Sequence, residues 1–193
     1  MNKKISVGLV TTYALFAFVI GFSPATTRAA TIVDVAVGNP NFSSLVGAVS
    51  SQGLVDTLNS ARPFTVFAPT NSAFSSIQPI ISEALTAKPE LLKQVLLYHV
   101  VPGTYNASDV LSAKTLTTAQ GGKLMPRMID GSAYVNTAKI SATDIAADNG
   151  VVHVIDSVLV PREVIVEAIK MKLEMLRGQI GMLQAAAQSS HNR

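Results

Sequence analysis

The stretch Phe64-Thr-Val-Phe-Ala-Pro-Thr-Asn-Ser-Ala-Phe74 decides the fold. Its first five residues are apolar or β-branched and read as a buried strand. Pro69 lacks the N–H that a strand ladder needs and ends the strand. Thr70 or Asn71 then offers a side-chain oxygen to the free N–H groups of a helix start. Ala73, Phe74 and Ile77 give that helix an apolar side. Asn71 is assigned this structural, capping role.

Working outward, Thr31 to Val37 is apolar and β-branched and reads as a short entry strand. Phe42, Leu45, Val46 and Val49 fall at helical spacing, and Gly53 separates them from a second short helix at Leu54, Val55 and Leu58. Downstream, Pro89 opens a helix with Leu91, Leu92, Val95 and Leu96 on its apolar side. Tyr98 to Val101 reads as strand, and Ser108 as the cap of a short helix. Asp130-Gly131 and Asn149-Gly150 are tight-turn signals between strands. Val151 to Val160 reads as one long strand ending at Pro161. Helices cluster early and hairpins late, which predicts an α+β fold rather than alternating βαβ units.

Three segments in this order resemble the fasciclin family: residues 64–74, the Leu97-Tyr98-His99-Val-Val101 string, and Thr143-Asp144-Ile145 followed by Asn149-Gly-Val-Val-His153-Val-Ile-Asp156 through Pro161. The resemblance spans about residues 31–161. It implies a fasciclin-like twisted β-wedge with packed short helices, surface display or secretion, and a role in adhesion. Some members bind cell-surface receptors through the segments that correspond here to Tyr98, His99, Asp144 and Ile145, which makes these the candidate partner-binding residues. One domain and a plain leader resemble the small microbial members.

The chain divides into three parts. Residues 1–30 carry Lys3 and Lys4, an apolar run from Val7 to Phe22 and small residues around Ala25 and Ala29, the pattern of a cleaved signal peptide. Residues 31–161 form the domain. Residues 162–193 form an amphipathic helix and a polar tail. Loss of the leader removes Lys3, Lys4 and Arg28, so 15 basic residues become 12 against 12 acidic ones. A near-neutral exported chain offers no sustained basic face for nucleic acid. It contains no cysteine, which excludes thiol catalysis and thiolate metal sites.

Neither a nucleophile elbow, a phosphate-binding glycine loop nor a His-Glu-x-x-His pair occurs, so no enzyme class and no cofactor is indicated. His99 and His153 lie in apolar runs. A metal site would need them close together with a third ligand, and Asp156, three residues beyond His153, points to the other strand face. The residues favour structural histidines satisfied by hydrogen bonds, and His153 is assigned that role. Their convergence on one pocket would instead favour the alternative, a small-ligand or catalytic domain on the same fold.

In the tail, Val166, Ile169, Leu173, Leu176, Ile180, Leu183 and Ala187 alternate three and four apart, an a/d heptad seam. The flanking Lys170, Lys172, Arg177 and Gln179 include no acid, which disfavours simple self-pairing. The tail carries net charge +2 and the domain −2, so docking of the helix on its own domain competes with homo-oligomerisation, with another protein partner, and with contact to an anionic membrane surface. The sequence thus describes an exported module for a protein, matrix or cell-surface ligand; a self-assembling envelope component is a further alternative.

Overall fold

The computed structural model describes residues 30–191 apart from residue 61. Of the expected signal segment, residues 1–30, all but Ala30 lies outside the described residues. At the centre is β1 (Phe64–Pro69), buried along its whole length. It pairs antiparallel with β2 (Val100–Pro102) and parallel with β8 (Gly150–Ile155). With β7 (Ala138–Ala147), β6 (Ser132–Val135) and β5 (Pro126–Ile129) the sheet order is β2-β1-β8-β7-β6-β5. The short hairpin β3 (Leu116–Thr117) and β4 (Lys123–Leu124) forms a separate two-stranded sheet. The sheet curls into a half-barrel, and the class is α+β.

Alternation along β1 and β8 builds two cores. Phe64, Val66, Ala68, Val152 and Val154 face one, covered by α1 (Ile32–Val37), α2 (Ser43–Ser51) and α3 (Val55–Leu58). Phe67 and Ile155 face the other, with Val101, Leu124, Val135 and Val110 of α7 (Ala107–Ser112). A third cluster joins α5 (Pro79–Ala87) and α6 (Pro89–Tyr98) to α8 (Arg162–His191) through Val164 and Ala168. Pro161 therefore marks the start of an element, whereas the core continues into the first turns of α8.

Local readings differ from the structure at identifiable points. Ile32 to Val37 is helix, not strand, with Thr31 as its N-cap. The Thr31 hydroxyl accepts from the Asp34 N–H while the Asp34 carboxylate accepts from the Thr31 N–H, a capping box that overrides the β-branched composition. Thr70, not Asn71, caps α4 (Asn71–Ser75). The Asn71 side chain reaches across to α2, donating to the Pro40 carbonyl and accepting from the Ser44 N–H. Tyr98 closes α6 and His99 caps its C-terminus, so the strand begins only at Val100. Asn106 rather than Ser108 caps α7.

Asp130 and Gly131 do form the tight β5–β6 turn, both with positive φ. The second turn is shifted by one residue. Asp148 and Asn149 make the loop, and Gly150, at φ 152°, is already the first residue of β8. A Cβ on Gly150 would sit 1.8 Å from the Phe64 carbonyl oxygen, inside the β1–β8 ladder. Gly150→Ala is expected to cost about 3 kcal/mol, because backbone rather than a movable side chain must yield. Urea unfolding monitored by circular dichroism measures this, and an unchanged midpoint would contradict the close approach.

Candidate functional site

The candidate site begins with an irregularity in β7. Ala142 pairs with Val154 and Ile145 with Val152, so Thr143 and Asp144 together oppose the single residue His153. This is a bulge, and it leaves one N–H outside the ladder. Asp144 takes φ 59°, a left-handed conformation that Asp tolerates better than most residues. The fully buried His153 completes the bonding: Nδ1 accepts from the Asp144 N–H at 3.3 Å and Nε2 donates to the Tyr105 carbonyl at 2.9 Å. Its ring lies 5.5 Å from that of Phe67, tilted by 31°.

Asp144 extends the connection outward. Its Oδ1 accepts from the Ala107 N–H at 2.8 Å, one of the free donors at the start of α7. The bulge, the loop at Tyr105 and the helix start are thus locked to β8 through one imidazole. Thr143 and Asp144 remain exposed on this rigid support, and Ile145 is half-buried against the first core.

His99 does comparable work on the other side of β1. Its Nδ1 donates to the Val95 carbonyl at 2.7 Å and its Nε2 accepts from the Leu159 N–H at 2.9 Å. These bonds define a neutral tautomer. Burial pushes its pKa down to about 4, and the Val95 carbonyl opposes the shift only in part. Tyr98 is also enclosed, with 8% exposure; its hydroxyl donates to the Lys123 carbonyl at 2.9 Å and accepts from the Asn136 amide at 3.2 Å.

The structure therefore separates the four candidate contact residues. Tyr98 and His99, with 8% and 2% exposure, lie inside the protein. Tyr98 belongs to the second core and Ile145 borders the first. Only Asp144 is exposed, with Ile145 beside it. Both nitrogens of each histidine are engaged by backbone groups, so the two rings do not converge on a shared ligand. Among the described residues no cluster of three His, Asp or Glu side chains is placed to hold a metal.

Sequence reading missed Asn149 as a junction. Its Oδ1 accepts from the Ile32 N–H, its Nδ2 donates to the Leu58 carbonyl, and its own carbonyl accepts from the Phe64 N–H. One residue ties α1, α3 and β1 together. The Asn-Gly signal was visible, but it read as a turn and carried no sign of these distant partners.

The fasciclin domain family model matches residues 40–161 of this arrangement, from the turn before α2 to the end of the loop after β8. The chain belongs to the fasciclin domain family. It is 45% identical over 139 residues to Protein sll1483 of Synechocystis sp., covering 71% of this chain and 77% of that one. A second Synechocystis protein, sll1735, is 40% identical over 128 residues, covering 66% of this chain and 96% of that one. The pig transforming growth factor-beta-induced protein ig-h3 is 37% identical over 131 residues, which is 68% of this chain but only 19% of ig-h3. The FAS1 domain pair of the insect cell adhesion molecule Fasciclin I superposes with a TM-score of 0.54 at 18% identity, covering 70% of this chain and 52% of that one. That likeness establishes a shared fold.

The histidine geometry sets a pH dependence. His99 has a folded pKa near 4 against about 6.5 unfolded, so between these values the unfolded chain binds more protons. Stability is expected to be full above pH 6.5 and to fall, by on the order of 3 kcal/mol, as pH drops towards 4. His99→Gln should flatten the profile in that window although it lowers stability overall. Melting temperatures at stepped pH test this, and an equal slope in the variant would assign the acid sensitivity elsewhere.

Proposed function

We propose that this chain is an exported, non-enzymatic interaction module that engages a protein, matrix or cell-surface ligand through the Asp144 bulge. The observation that carries the reading is an exposed pair, Thr143 and the charged Asp144, on a bulge fixed by the bond from the Asp144 N–H to the buried His153 ring and by the Asp144 carboxylate on the Ala107 N–H. A surface loop fixed before contact loses little conformational entropy on binding, which is what favours recognition by a rigid scaffold. Ile145 adds an apolar margin. The leader-like residues 1–30 support export, and among the described residues no helix is long and apolar enough to cross a membrane.

The rival reading, a small-ligand or catalytic domain, gains little from the interior. The enclosed space between the sheet and α1–α3 amounts to about 60 Å³ and is lined by apolar side chains such as Ile32, Leu45 and Leu54. A more open groove beside α5 and α6 measures about 260 Å³. Ligand pockets commonly need roughly 300 Å³ or more. The histidines, the natural acid–base candidates, are committed to the backbone.

The test separates folding from contact. Asp144→Asn keeps an acceptor for the Ala107 N–H, and Thr143→Arg places bulk on an exposed position. Microspheres coated with the protein are expected to adhere to cells of the producing organism more than beads coated with heat-unfolded protein. The double variant should melt near the parent temperature yet adhere roughly tenfold less, the scale of one interface hot spot. Undiminished adhesion would move the contact away from the bulge, and no adhesion by folded parent protein would overturn the adhesion reading.

A further inference from the structure

Helix α8 has two apolar faces, and the domain covers one of them. Val164 and Ala168 are buried and Met171 is half-buried against α5 and α6. Ion pairs flank this contact: Lys88 Nζ donates to Glu167 at 2.6 Å and Lys172 Nζ to Glu83 at 3.1 Å. The hydrogen bond and charge of Lys88 hold the Glu167 carboxyl below its usual range, and the hydrogen bond and charge of Glu167 raise the Lys88 pKa in turn. At 3.6 residues per turn, the docked face lies roughly 160° around the axis from the row Val166, Ile169, Leu173, Leu176, Ile180 and Leu183. That row is 43% exposed at Val166 and 70% exposed at Leu183. From Leu173 to Gln188 every residue is exposed, a stalk of roughly 24 Å at 1.5 Å per residue.

We propose that this row is one half of a parallel, two-stranded coiled coil with a second copy of the same chain. The inference is independent of the Asp144 bulge. First, the apolar spacing repeats every 3.5 residues. On a straight helix such a row drifts by about 20° per heptad, so it stays in contact with a partner only when two helices wind around each other. A helix lying flat on a membrane gains nothing from that repeat. Second, Val166 and Ile180 stand at a positions and Leu176 and Leu183 at d positions, the arrangement that favours two parallel strands. Leu173 and Ile169 depart from it without interrupting the seam.

Third, the placement of the domain leaves room for the partner. Because each domain sits opposite its seam, two copies pair seam to seam with both domains outermost. Docking on the domain and pairing are therefore compatible: they use opposite faces. Gly178 and Gly181 fall off the seam. The opposing consideration is charge, since Lys172 of one copy faces Arg177 of the other. An exposed like-charge contact is weak beside burial of the leucine and isoleucine seam, so the pair forms with moderate affinity.

The experiment uses the chain from Thr31 to the C-terminus. Light scattering at micromolar concentration is expected to give twice the monomer mass, falling to the monomer on dilution. Leu176→Ser together with Ile180→Ser should give a monomer with an unchanged melting temperature, and Met182→Ser, off the seam, should leave the dimer intact. Because the chain has no cysteine, Ile180→Cys reports orientation: in a parallel pair it cross-links to itself under mild oxidation. A parent protein that remains monomeric overturns the proposal, as does a dimer that survives the seam substitutions or fails to cross-link. A monomer that floats with anionic phosphatidylserine–phosphatidylcholine vesicles would assign the row to a membrane surface instead.

Discussion

Strand β1 is closed on both edges by other strands and on both faces by apolar cores, so no backbone group near it can rely on water. An unpaired buried N–H or carbonyl costs a large share of a domain's net stability. Regular pairing with β2 and β8 satisfies most of these groups, but the chain must also turn, bulge and cap within the same dry region. The two histidines resolve that conflict. Each neutral imidazole has one donor and one acceptor, so a single side chain bridges a carbonyl and an N–H belonging to different segments. His99 joins the end of α6 to the loop at Leu159, and His153 joins the loop at Tyr105 to the β7 bulge.

This bonding explains why residues that resemble a recognition motif are divided between interior and surface. Tyr98 and His99 hold β-hairpin and loop backbone from within. Asp144 is exposed because a bulge needs a residue that accepts a left-handed backbone, and its carboxylate is then available to the start of α7. The proposed module draws on the same facts: rigid support beneath, the charged Asp144 beside the half-buried Ile145 above, and imidazoles whose nitrogens are already occupied.

Helix α8 extends the logic from one core to two surfaces. An exposed Lys–Glu pair is screened by water and salt and adds little, whereas burying a valine contributes about 1.5 kcal/mol or more. Val164 and Ala168 therefore decide which face meets the domain, and the ion pairs at Glu167 and Lys172 set its registry. The stronger apolar row points away, because α5 and α6 offer only a short surface and the helix outruns it after Lys172.

Much of this was legible in the amino-acid sequence. The buried strand at Phe64–Ala68, the Asp130-Gly131 turn, the helix opened by Pro89 and the heptad row rest on local chemistry: side-chain period, φ preference and missing N–H groups act within a few residues. The α+β class and the family segments were legible for the same reason. Tertiary structure alone decided the rest. Ile32 to Val37 became helix through the Thr31–Asp34 capping box and packing on the sheet. Asn149 acquired partners as distant as Ile32 and Leu58, and Gly150 was required by the Phe64 carbonyl across the ladder. The face of α8 that docks was set by the shape of α5 and α6. Such choices depend on which segments meet in space, and hydrogen-bond satisfaction in a dry interior is a property of that meeting, not of any one stretch of chain.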